Sequence, residues 1–112
     1  MVVFQVQING QVVSTAGVGD LGVLTAILKW VRRERDNCPE GLDIEEWSAE
    51  ELDLSVGGTA CHEKHGHQFL DWVRDRRVSV GDEIKIKIKI LDQSECDPPV
   101  AKRTETWLAP DC

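Results

Sequence analysis

The stretch at residues 21–35, L-G-V-L-T-A-I-L-K-W-V-R-R-E-R, decides what kind of fold this chain can make. Leu21, Leu24, Ile27, Leu28 and Val31 recur at the spacing of one helix face, with Asp20 before them as an N-cap. Lys29, Arg32, Arg33 and Arg35 gather where the negative end of a helix dipole would lie. The spacing predicts a helix over about 21–35, with its cations solvated.

On its N-terminal side the pattern has a different period. Phe4, Val6 and Ile8 alternate with Gln5 and Gln7, then the chain meets Asn9-Gly10, a pair that accepts the positive backbone angles of a tight hairpin turn. Strands are expected over about 2–8 and 11–16. On the C-terminal side, Asn37-Cys38-Pro39-Glu40-Gly41 ends the helix, and the acidic run from Asp43 to Asp53 around Trp47 reads as a loop or a single helical turn. Leu52, Leu54 and Val56 alternate with Asp53 and Ser55, giving a third short strand that stops at Gly57-Gly58. Phe69, Leu70, Trp72 and Val73, set among charged residues, suggest a short amphipathic helix over about 66–76.

The clearest strand is E-I-K-I-K-I-K-I-L, with Ile84, Ile86, Ile88 and Ile90 on one side and Lys85, Lys87 and Lys89 on the other. The lysine row could bind an anion. Lysines on a wet strand face also discourage edge-to-edge pairing, and in an acidic chain nearby Asp and Glu are expected to match them.

Hairpin, helix, strand, short helix and strand make an α+β fold: a small mixed β-sheet with one main helix and a short second helix. The 112 residues suit one domain, expected over 1–91, with 92–112 a C-terminal tail, partly packed or extended, and anchored by Trp107. The order resembles the β-grasp, or ubiquitin-like, superfold, carried by I-N-G-Q at 8–11, L-T-A-I-L-K-W-V at 24–31 and V-G-D-E-I-K-I-K-I at 80–88. A ubiquitin-like modifier or sulfur carrier would end in Gly-Gly, whereas this chain ends Ala109-Pro110-Asp111-Cys112. A ferredoxin of that superfold would carry a close cysteine run, and none is present. The sequence also resembles small uncharacterised bacterial proteins that combine L-x-V-G-G, V-G-D-E-I-x-I-K-I and D-P-P, here Leu54–Gly58, Val80–Ile88 and Asp97–Pro99. That likeness implies no activity.

Thirteen basic against twenty acidic side chains give a net charge of -7, which repels a phosphate backbone and disfavours nucleic acid as a partner. No apolar run is long enough to span a membrane, and the N-terminus has no signal-peptide pattern, so a cytoplasmic location is expected. Cys38, Cys61, Cys96 and Cys112 form no C-x-x-C pair and in a reducing compartment are free thiols. Nucleophile-elbow, P-loop, dinucleotide and H-E-x-x-H motifs are all missing, so an enzyme is not expected.

All three histidines lie in A-C-H-E-K-H-G-H at 60–67. Cys61, His62, His65 and His67 offer thiolate and imidazole donors that suit Zn or Ni, but no distant second pair of ligands anchors them as in zinc modules. The simpler reading is a polar loop leading into the second helix. The function expected is a non-enzymatic protein-interaction module that takes a protein partner or forms a homo-oligomer and needs no cofactor. The alternative is a metal-binding protein centred on Cys61 to His67.

Overall fold

The computed structural model describes residues 1–19, 21–62 and 66–105, except for the side chains of residues 62, 104 and 105. Its elements in chain order are β1 (Val2–Ile8), β2 (Gln11–Ala16), β3 (Gly22–Val31), α1 (Ile44–Ser48), β4 (Glu51–His62), β5 (Gly66–Arg77), β6 (Ile84–Ile90) and β7 (Ala101–Glu105). They make two sheets, β2-β1-β6 and β3-β4-β5-β7, with every strand pair antiparallel.

The hairpin and the isoleucine strand stand as expected. Asn9 and Gly10 have φ of 52° and 82°, the left-handed pair that a two-residue turn between twisted strands requires. The Asn9 side chain also clips this turn to the start of β6: its amide donates to the Asp82 carboxylate at 3.0 Å, and its oxygen accepts from the Glu83 N–H at 2.9 Å. Donation from Asn9 first, and from the Ser79 backbone second, holds the Asp82 carboxyl below its ordinary value. A lowered folded value means that this contribution is present above the unfolded carboxyl's titration and is lost as pH falls through the folded one. Urea midpoints for the wild type and Asp82→Asn should therefore differ at pH 7 and draw together as pH falls through the acid range; a constant gap would remove this role for the carboxylate.

The main helix is absent. Residues 22–31 are β3, paired with β4 in one unbroken register from Gly22↔Ala60 to Val31↔Glu51. The expected N-cap, Asp20, lies outside the described residues. In this register Leu24, Ala26, Leu28 and Trp30 stand opposite Gly58, Val56, Leu54 and Leu52, while Val23, Thr25, Ile27 and Lys29 share the other face with Thr59, Gly57, Ser55 and Asp53. The helical spacing was a by-product of a segment apolar on both of its strand faces. The cations follow the sheet instead of a helix dipole: Lys29 lies 3.8 Å from Asp53 across the ladder, and Arg33 lies 3.5 Å from Glu51.

The second helix is also absent, since 66–77 is β5. Its register against β4 slips on either side of Val56, and Asp75 adopts a φ of 46°. Those irregularities turn both Trp72 and Val73 inward, where they are 6% and 9% exposed. Two adjacent apolar residues both facing the core imitate a helix stripe. The single helical turn expected in the acidic run is α1, capped by the Asp43 side chain accepting from the Glu45 N–H at 3.0 Å. Together these findings replace the α+β, β-grasp-like expectation with two antiparallel sheets and, among the described residues, a single short α-helix.

Val6 and Ile8 of β1, Leu54, Val56 and Ala60 of β4, and Leu70, Trp72 and Val73 of β5 form the core between the sheets. Asp97 straps the sheets together. Its N–H donates to the Thr15 carbonyl at 2.8 Å, its carboxylate accepts from the Thr15 N–H at 2.8 Å, and its carbonyl accepts from the Trp72 indole N–H at 2.8 Å. One residue of the D-P-P stretch thus joins β2 in one sheet to β5 in the other. The residues beyond it, 101–105, add β7 to the outside of β5. Trp107 lies outside the described residues.

Candidate interaction surface

The histidine stretch is the closed end of the β4–β5 hairpin, not a loop between a strand and a helix. Cys61 and His67 are directly opposite each other in the ladder, and the backbone of His62 is paired with that of Gly66. Directly opposed positions share a sheet face. His65 lies outside the described residues, as does the side chain of His62, so two of the four expected ligands, Cys61 and His67, are placed. His67 packs edge-on against Phe69, with ring centroids 6.4 Å apart. Among the described residues no group of three or more His, Cys, Asp or Glu side chains is gathered as a metal site.

Cys38, Cys61 and Cys96 are free and partly buried. Burial, reinforced by neighbouring Asp97, pushes the Cys96 thiol above its ordinary value, which keeps it protonated and a poor nucleophile.

The lysine row is placed as the alternation required, on the face of β6 opposite the isoleucines. Its cross-strand neighbours are Gln7 for Lys85, Gln5 for Lys87 and Val3 for Lys89, in place of the expected carboxylates. Among the described residues none of the ion pairs involves these lysines. Their ammonium groups therefore leave β6 with an outer face of one sign.

A feature missed in the sequence dominates the surface. The inward-facing isoleucines of β6 lose their cover along the strand: Ile86 is 43% exposed, Ile88 73% and Ile90 81%. Correspondingly, β3 exposes Val23, Ile27, Leu28 and Trp30, each between 55% and 59%. Where the two sheets part, Val2, Phe4 and Ile90 on one side face Gly22 and Leu24 on the other across a cleft of about 530 Å³. The two sheets overlap too little to cover each other's outer strands. The radius of gyration of 17.2 Å records the same fact, since a compact chain of this length has one of about 13 Å. Large apolar side chains exposed in series along an outer strand are a feature of interaction surfaces.

The signal was available in the sequence. A strand buried on both faces reads as a near-continuous apolar run, and V-L-T-A-I-L-K-W-V is one; here both faces are apolar although the strand lies at the edge.

No helix among the described residues is long and apolar enough to cross a membrane. The chain matches no protein-family model, no curated protein and no solved structure.

Proposed function

We propose that this chain is a non-enzymatic protein-interaction module and that its working surface is the outer strand β3. The observation that carries this reading is the exposure of Val23, Ile27, Leu28 and Trp30 on both faces of a strand that, among the described residues, is paired with β4 alone. An open strand edge offers a partner a row of main-chain donors and acceptors, and alternating apolar side chains add affinity and register. The net charge of -7 argues against nucleic acid as that partner. Free thiols at Cys38, Cys61 and Cys96 suit a reducing, cytoplasmic setting.

A second reading has one observation in its favour. Cys61 and His67 are brought opposite each other at the hairpin end, where they could share a Zn or Ni ion with His62 and His65. Native mass spectrometry of untagged protein taken from the cells that make it separates the two. A metal-free species carrying a bound protein, of this chain or another, supports the interaction module. A monomer with one metal per chain, lost when His62, His65 and His67 are replaced by alanine, supports the metal site and removes the first reading.

A further inference from the structure

Of the four outer strands, three are guarded against pairing with another chain. The main chain of β2 at Thr15 is already bonded to the Asp97 segment, β7 carries Lys102 and Arg103 among its described residues, and β6 presents Lys85, Lys87 and Lys89. Antiparallel strands about a two-fold axis with their faces aligned place odd positions opposite odd and even opposite even, so two copies of β6 would oppose lysine to lysine in every such register. By contrast, β3 has ten residues, no proline, no slip against β4, and a single charge at Lys29. Such an edge is what proteins avoid unless it is used.

We infer that β3 pairs antiparallel with β3 of a second copy of this chain, joining two four-stranded sheets into one of eight. This rests on the interaction reading above and names its partner. The geometry supports it in three ways. The Cys61 N–H donates to the Leu21 carbonyl, so with the unbroken register the odd-numbered positions bond β4, leaving the main-chain groups of Leu24, Ala26, Leu28 and Trp30 directed at the open edge. A two-fold axis beside Ile27 then sets Ile27 against its own copy, Ala26 against Leu28 and Leu24 against Trp30, with Lys29 facing Thr25 instead of a second lysine. Finally, Leu21, Val23, Ile27, Leu28 and Trp30 are each more than half exposed, and pairing along this edge would cover the flanks of these side chains on both faces of the sheet.

Sedimentation equilibrium of purified protein over roughly 1 to 100 µM tests the inference. Wild type should be a dimer. Ile27→Lys should weaken it about 100-fold, because each copy loses a buried isoleucine and gains a facing ammonium, while the far-UV circular dichroism stays unchanged. Ile88→Lys on β6 should leave the dimer intact. Should Ile27→Lys lose its circular dichroism, Ile27→Thr keeps the strand preference and is read instead; it too should weaken the dimer. A wild type that remains monomeric, a dimer indifferent to both Ile27 variants, or one dissociated by Ile88→Lys alone would overturn self-pairing through β3. A monomer here beside a protein-bound species in native mass spectrometry removes the self-pairing and leaves the interaction module; a monomer in both removes both.

Discussion

Trp72→Ala should lower the unfolding free energy by about 4 kcal/mol, the middle of the range for truncating a large buried ring. Two losses combine in it. The ring is 6% exposed and lies in the core made by β1, β4 and β5, so its removal leaves a cavity whose lining residues lose their contacts. Its indole N–H also donates to the Asp97 carbonyl, and Asp97 holds Thr15 of the other sheet through its own N–H and its carboxylate. Trp72→Phe separates the two: it keeps most of the ring, abandons the hydrogen bond, and should cost about 1 kcal/mol beyond the change in volume. Urea unfolding at pH 7 gives both numbers. A Trp72→Ala cost under about 1 kcal/mol would mean that the sheets do not depend on this strap.

Gly58→Ala should cost about 3 kcal/mol, out of proportion to a single methyl group. A Cβ at Gly58 would lie 2.4 Å from the Val23 carbonyl oxygen and 2.7 Å from a methyl of Val18. The nearer obstacle is backbone of β3, so relief requires the β3–β4 ladder itself to shift. At Gly57 the added atom would meet the Leu70 carbonyl oxygen at 2.9 Å and the Asp71 carboxylate at 3.0 Å. One of these is a side chain that can turn away, and Gly57→Ala should be the milder of the two in the same urea series. Equal costs would show that the close approach of β3 is not what reserves position 58 for glycine.

This close approach also explains what sequence periodicity could and could not show. The Asn9-Gly10 turn and the β6 alternation were legible because both are local: dihedral preference sets the first and a two-residue period the second. In the acidic run a loop and a single helical turn were both open, and the structure has the turn, with Asp43 as its cap. In 21–35, apolar residues occupy both parities, so a 3.6-residue period and a two-residue period both find matches. What decides between them is a partner some thirty positions away, the stretch around Gly57-Gly58 that admits a neighbouring strand. At 66–77 the bulges that turn Trp72 and Val73 to one side likewise depend on the pairing with β4. Of the four expected ligands, two, Cys61 and His67, lie among the described side chains. Cys61 and His67 do come together, but because hairpin pairing opposes them, and the apolar edge of β3 was concealed by being read as a buried helix stripe.

The pairing of β1 with β6 has a consequence for how the molecule is made. Met1 donates from its amino group to the Leu91 carbonyl, 90 positions away, and β1 is the central strand of its sheet. During synthesis the β1–β2 hairpin leaves the ribosome long before β6 exists, whereas β4 and β5 follow each other closely in the chain and can zip together as soon as both are out. Loop-closure entropy favours the β4–β5 ladder as the folding nucleus and leaves closure of the first sheet to the end. Until then one edge of β1 stays open, and the nascent chain carries a second unguarded strand besides β3. Crowding of unfinished chains is therefore a hazard built into the strand order, and the lysines of β6 bring protection only with the strand that arrives late.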